Sequence, residues 1–141
     1  MRSQKAAIVV ICVLLGACSA ETPAQPAAAT LLAGTWTGQG CLSVAADGCD
    51  LVVGCGHGRF PVPAVRADGT FDVEGTYRVE VGPVSIDPAP PATFSGVLKG
   101  QTLTLTVTPH DASGRPTATA LQFVLQFTGA GAGRGCVTAC V

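Results

Sequence analysis

Charged residues are scarce in this chain of 141 residues. Asp, Glu, Lys and Arg together make up 12% of the sequence, about half of the ~25% in an average globular domain. The basic residues are also scattered, and nowhere do several of them cluster. Because binding to a phosphate backbone requires several Lys or Arg side chains on one face, we expect no nucleic-acid partner.

Uninterrupted helical segments are missing as well. The 18 glycines and 10 prolines interrupt every long stretch that has a helical period. The glycine-rich segment 129–135 lacks the lysine and the following helix of a phosphate-binding loop. No pair of carboxylates is placed for acid–base catalysis. We therefore predict a protein without helices in its folded domain, without a cofactor and without catalytic activity.

The N-terminus has the layout of an export signal. Arg2 and Lys5 precede a short apolar stretch, residues 6–17, which is shorter than the ~20 residues that a membrane-spanning helix requires. A charged start, a short apolar middle and small residues at the end are typical of a secretory signal peptide. The end of this segment, Leu-Gly-Ala at residues 15–17 followed by Cys18, resembles the lipobox of bacterial lipoproteins.

The lipobox resemblance implies removal of residues 1–17 and attachment of lipid to Cys18, so that the protein is anchored to a membrane. Ser19 then favours the outer membrane over the inner membrane in a Gram-negative envelope. The alternative is an ordinary signal peptide that is cleaved near Ala17 or Ala20. Residues 18–30 are rich in Ala and Pro and predict an extended tether, and residues 31–141 predict one folded domain.

Apolar and polar residues alternate throughout the predicted domain. A period of two indicates half-buried strands, and the clearest one covers 102–108, where leucines and valine alternate with threonines. The predicted strands are 35–43, 49–53, 59–66, 70–81, 94–99, 102–108, 121–127 and 136–140. We expect Gly75 to mark a bulge or bend and residues 82–92 and 110–116 to form loops.

Seven or eight short antiparallel strands predict an all-β fold. We favour a small antiparallel β-barrel, with a β-sandwich as the alternative. The sequence Gly-Thr-Trp ending at Trp36 resembles the G-x-W motif of lipocalins and related small barrels. This resemblance implies that Trp36 plugs one end of the barrel and that Arg134 packs across it. The interior is then lined, or filled, by Trp36, Phe71, Tyr77, Phe94, Leu103, Leu105, Phe123 and Phe127.

The predicted domain contains five cysteines: Cys41, Cys49, Cys55, Cys136 and Cys140. Export favours disulfides, and the odd number leaves at least one thiol unpaired within the chain. The first and last strands of an up-and-down barrel pair, so we favour a bridge from Cys41 to Cys136 or Cys140. We expect a second bridge to involve Cys49 or Cys55. Zinc bound by thiolates and His57 is the less favoured alternative, because the spacing lacks paired C-x-x-C motifs.

Three hypotheses describe the function of such a lipid-anchored envelope protein. The first is a lipocalin-like module that holds an apolar ligand. The second is an interaction with another protein or a surface polymer through residues 82–92 or 110–116, and the third is an exported inhibitor. Cys55 with His57, and His110 and Asp111 with Ser113, are residue types of catalytic sites. We interpret them as disulfide and turn residues.

Overall fold

Ten β-strands make up the part of the chain that the computed structural model describes, namely residues 29–80, 88–117, 119–130 and 136. In chain order they are β1 (Ala29–Thr30), β2 (Gly34–Gly38), β3 (Cys41–Ala45), β4 (Gly48–Val53), β5 (Gly56–Phe60), β6 (Ala64–Val65), β7 (Thr70–Val79), β8 (Pro91–Lys99), β9 (Thr102–Pro109) and β10 (Leu121–Gly129). Within these ranges there is no helix, as the sequence predicts.

Eight of the strands form a closed antiparallel barrel in the order β10-β2-β3-β4-β5-β7-β8-β9. Strands that are adjacent in the barrel are also consecutive in the chain, apart from the excursion of β6 and the closure of β10 onto β2. Phe127 of β10 pairs with Trp36 of β2 at this closure. The predicted small antiparallel barrel is confirmed, and the β-sandwich alternative is wrong.

The segment 35–43, predicted as one strand, is a hairpin. β2 ends at Gly38 and β3 begins at Cys41. A Cβ on Gly38 would overlap the carbonyl oxygen of Val124 in β10, so this close approach of two strands requires glycine. The prediction failed because Trp36 and Leu42, both buried, lie an even number of positions apart in the sequence, as two inward residues of one strand would. The alternation therefore continues in phase through the turn.

The segment 59–66, also predicted as one strand, is divided by its prolines. β5 ends at Phe60, and β6 leaves the barrel to pair with β1. Pro61 and Pro63 have no N–H to donate to a strand ladder, which explains the interruption. Val65 in this two-stranded sheet and Leu31 next to it belong to the main core, so the sheet covers one end of the barrel.

Gly75 does not mark a bulge. β7 pairs with β8 without a register shift from Thr70 to Thr76. A Cβ on Gly75 would lie 2.8 Å from the Cβ of Phe60 and 2.9 Å from Cε2 of Phe94, so the core packs directly against the backbone here. The predicted strand 136–140, apart from Cys136, and residues 82–87 of the predicted loop 82–92 lie outside the described residues.

Side chains occupy the interior of the barrel. An eight-stranded barrel encloses a space just wide enough for side chains to fill. The side chains that are almost completely buried include three phenylalanines, the tryptophan and five leucines. They are Trp36, Phe60, Phe71, Phe94, Leu42, Leu51, Leu103, Leu105, Leu125, Val107 and Cys49.

Glycines on the inner face make room for the aromatic rings. A Cβ on Gly96 would overlap the ring of Phe71. A Cβ on Gly58 or on Gly75 would lie 2.9 Å from a ring atom of Phe94. Because real Cβ atoms do not approach so closely, a larger residue at these positions would displace a ring that is already packed on its other sides.

One disulfide connects the start of the barrel to the chain beyond its last strand. Cys41 of β3 is bonded to Cys136, with 5.4 Å between their Cα atoms and a sequence separation of 95 residues. This is one of the two long-range pairings that the sequence favours. A loop of this length loses more unfolded-state entropy on cross-linking than a short local loop does.

We predict that removal of this bridge lowers the stability of the barrel. The double variant Cys41→Ala/Cys136→Ala is expected to lose about 2–5 kcal/mol of unfolding free energy, as is usual for a native disulfide in a small exported domain. Urea unfolding without reductant measures this loss. An unchanged unfolding midpoint, or peptide mapping that links Cys41 to another cysteine, would contradict the assignment.

We further predict that Gly96→Ala destabilises the protein although alanine suits a strand better than glycine. Without a clash the change would stabilise by about 0.5–1 kcal/mol, whereas overpacking against Phe71 is expected to cost about 1–3 kcal/mol. In the double variant Gly96→Ala/Phe71→Leu, the loss of unfolding free energy should be smaller than the sum of the two single losses by at least ~0.5 kcal/mol. Thr104→Ser, on the outer face, serves as the control, and additive effects of the two core changes would refute the packing argument.

Candidate functional site

Of the eight residues predicted to line or fill the barrel interior, six are buried in the core, and Phe123 and Phe127 are partly buried against it. Trp36 is fully buried, and its Nε1 donates a hydrogen bond to the carbonyl oxygen of Leu32 at 3.1 Å. The ring of Phe127 meets it edge-on, with 5.1 Å between the centroids. Phe123 is partly buried against the same core. Arg134, which the lipocalin resemblance places across the tryptophan, lies outside the described residues.

The aromatic residues leave little interior space for a ligand. Phe60 stacks on Phe94 with 4.3 Å between the ring centroids. A Cβ on Gly56 would overlap the hydroxyl group of Tyr77, and burial raises the pKa of that tyrosine. The rings of Tyr77 and Phe94 therefore fill positions that Gly56 and Gly75 on neighbouring strands leave open.

Cys55, two residues before His57, has a structural role. Cys55 is disulfide-bonded, and its partner is not among the described residues. A bonded sulfur cannot act as a thiolate nucleophile or as a zinc ligand. Among the described residues no three His, Cys, Asp or Glu side chains are grouped closely enough to hold a metal ion. Cys140 lies outside the described ranges.

The residues His110, Asp111 and Ser113 form a closed turn. Oδ1 of Asp111 accepts hydrogen bonds from the backbone and the hydroxyl group of Ser113 at 2.8 and 2.6 Å. It also accepts one from the backbone of Arg115 at 3.0 Å. The pKa of Asp111 is lowered, first because the Ser113 hydroxyl stabilises its charge. The imidazole of His110 contacts Thr93 and Gly114, so it does not act on Ser113.

The described surface has a groove with a volume of about 410 Å³ across the outer face of β4, β5 and β7, which we call the charged groove. Its lining includes Asp50, His57, Arg59, Thr76 and Arg78, and Ala89 borders it. Strand pairing explains this cluster, because Asp50 lies opposite Arg59 and His57 opposite Arg78. Outward side chains from three strands thus meet on one surface.

Two ion pairs of unequal exposure organise the charged groove. Nε of Arg59 lies 3.1 Å from Oδ1 of Asp50, and these side chains are 76% and 56% exposed. Nη2 of Arg78 lies 3.0 Å from Oε1 of Glu80, with only about a third of each side chain exposed. The Arg78–Glu80 pair is therefore largely shielded from solvent. The Arg59–Asp50 pair is exposed, so either group can form an ion pair with another molecule instead.

His57 completes the inner part of the charged groove. Its Nε2 atom lies 3.5 Å from Oε2 of Glu80, is buried, and has no hydrogen-bond partner. The 3.5 Å separation lies beyond the usual range of a hydrogen bond, so the two groups are in polar contact without a hydrogen bond. The carboxylate of Glu80 is thus shared between Arg78 and the imidazole.

Sequence reasoning did not identify the charged groove. Asp50, Arg59 and Arg78 are far apart in the chain, and each reads as an isolated solvated charge. Their proximity follows from the register of β4, β5 and β7, which alternation cannot determine. The available signal was the alternation itself, since each of the three lies at an outward position of its strand.

Comparison with known proteins identifies no relative. No protein-family model matches the chain, no curated protein matches it, and no solved structure matches it. In the described ranges there is no helix of the length and hydropathy needed to cross a membrane. The geometry of the barrel and its surface therefore carries the functional argument.

Cys49 is an unpaired cysteine that is completely buried in the core. Burial, and to a smaller extent the carboxylate of Asp50, raises the pKa of this thiol to about 12. The unfolded chain loses this proton near pH 9.0, so the thiol stabilises the folded state fully below pH 9. That contribution is lost as the pH rises from 9 toward 12.

We predict that Cys49 resists iodoacetamide in the native protein at pH 8.5 and reacts once guanidinium unfolds the chain. A thiol that is both buried and protonated is a poor nucleophile. Mass spectrometry of the intact protein counts the added groups, and the Cys49→Ala variant provides the control. Rapid modification of Cys49 without denaturant would show that it is accessible.

Proposed function

We propose that the protein is a lipid-anchored, non-enzymatic interaction module of the cell envelope that binds a protein partner through the charged groove. The packed interior of the barrel is the observation that carries this proposal. A ligand inside the barrel would have to displace rings such as Phe71 and Phe94, which are almost completely buried. Recognition on the outer surface requires no such rearrangement.

The charged groove has properties that suit a protein partner. The exposed Arg59–Asp50 pair contributes little to folding, as is usual for surface ion pairs, so both groups are available to charges of a partner. Arg78, which lines the groove, is held by its ion pair with Glu80. A partner segment with charges of both signs would pair with Arg59 and Asp50 at once, and such complementarity favours specificity and fast association.

The arrangement of the catalytic-type residues supports a non-enzymatic role. Cys55 is held in a disulfide, and Asp111 is engaged by three donors that close a turn. These residues are accounted for by structure alone. Ala89, from the proline-rich segment that the sequence singled out for interaction, borders the charged groove and extends the surface that a partner could contact.

A photo-crosslinking amino acid at position 76 tests the proposal in living cells. Thr76 lines the charged groove, so we expect it to capture one envelope protein. The same amino acid at position 104, on the outer face of β9, serves as the control and should not capture that protein. Arg59→Glu places two acidic groups side by side and is expected to reduce capture about tenfold, which corresponds to 1.4 kcal/mol of binding free energy.

The charge-swapped variant Asp50→Arg/Arg59→Glu separates binding from stability. It retains an ion pair within the protein but exchanges the positions of the positive and the negative charge, so a partner meets the opposite sign at each position. We expect it to fold normally and still lose the partner. Capture that is equal from positions 76 and 104, or that survives the swap unchanged, would refute binding through the charged groove.

A further inference from the structure

The barrel has a second outer face that is almost free of charge. The outward side chains of β8, β9 and β10 are every second residue of the segments 93–99, 102–108 and 122–128. These twelve residues comprise six threonines, one serine, two glutamines, two valines and one lysine. We call this surface the neutral face. The outward residues of β4, β5 and β7, in contrast, carry most of the charge of the barrel strands.

A groove of about 340 Å³ crosses the neutral face at right angles to the strands. The cross-strand row Ser95–Thr106–Gln122 lines one side of the groove, and Val97 and Thr104 line the other side. Val124, which pairs with Thr104, continues the second row beyond the groove lining. The groove spans four strands from β7 to β10. Three interstrand spacings of ~4.8 Å give it a length of about 14 Å.

Side chains along the groove have unused hydrogen-bonding capacity. Hydroxyl groups and carboxamides both donate and accept hydrogen bonds. Thr104, Thr106 and Gln122 make no side-chain hydrogen bond to any described residue. At the β7 end, Nη2 of Arg66 donates to Oδ2 of Asp72 at 2.8 Å, so the two charged residues that line the groove in the described part of the chain already neutralise each other.

The row Val97–Thr104–Val124 is mostly apolar. Val97 and Val124 flank Thr104 and are 38% and 41% exposed. A polar row beside an apolar row matches a sugar chain, because a sugar ring has hydroxyl groups at its edge and C–H groups on its faces. The strands on either side fix these residues in place, which lowers the entropic cost of binding an extended chain.

We propose that the neutral face binds an uncharged polysaccharide chain laid along this groove. This site goes beyond the proposed protein interaction, since it uses a different surface and a different class of partner. The hydroxyl and amide groups of one row bind the hydroxyl groups of the sugar, and the valines contact its C–H faces. An anionic polymer is disfavoured because this face offers it too little positive charge. Among the described residues here, Lys99 at the edge of the face is the one cation that lacks an ion-pair partner.

NMR titration of the exported full-length protein tests this proposal. The ¹⁵N-labelled protein, in micelles of a detergent without sugar groups, is titrated separately with maltohexaose, cellohexaose and chitohexaose. We expect at least one sugar to shift amide signals of β8, β9 and β10 and to leave those of β4 and β5 in place. Thr106→Arg blocks the groove and should weaken binding at least tenfold, and Gln122→Ala should weaken it less.

The matched control is Arg59→Glu, which alters the charged groove and should leave sugar binding unchanged. Absence of shifts with all three sugars, or shifts that survive Thr106→Arg, would overturn the proposal. Shifts on the neutral face that depend on protein concentration without sugar would identify it as a contact between copies and would also overturn it. None of these results affects capture from position 76, so the two proposals fail independently.

Discussion

The limited volume inside an eight-stranded barrel is the constraint on which the rest of this structure depends. Side chains from eight strands converge on a space that they just fill. The protein meets this limit by pairing large rings with glycines, as Phe71 with Gly96 and Phe94 with Gly58. Among the described residues these rings are almost completely buried, so a ligand between them would have to displace a ring. The scarcity of charge follows partly from this arrangement, since half of every strand is committed to the core.

The same alternation determines what the outer surface offers. Every inward residue is followed by an outward one, so a row of outward side chains crosses neighbouring strands at each level of the barrel. On β4, β5 and β7 these rows bring opposite charges together, as Asp50 with Arg59. On β8, β9 and β10 they bring hydroxyl and amide groups together, as Ser95 with Thr106. Two chemically different surfaces thus arise from one strand pattern.

The sequence predicts the barrel better than it predicts the grooves. The alternation of leucine and threonine in 102–108 is a local signal, and the structure has β9 there. The alternation does not reveal the hairpin at Gly38–Cys41 because it remains in phase through the turn. It also does not reveal the role of Gly75, because a glycine that makes room for a core side chain has the same local sequence as one that bends a strand. The charged groove depends on the register of three strands, which is fixed by contacts across the whole barrel and not by any one segment.

The positions of the two grooves allow both proposed partners to bind at the same time, so that each contact needs only a weak affinity. The two grooves lie on different strands except for β7, whose first half borders the groove of the neutral face and whose second half borders the charged groove. Occupation of one groove therefore leaves the other open. For a protein held near a surface, a second binding event becomes intramolecular, and its effective concentration reaches the millimolar range for a short flexible linker. Under the two proposals, a weak contact between the neutral face and a sugar chain holds the protein in place while the charged groove binds its proposed partner.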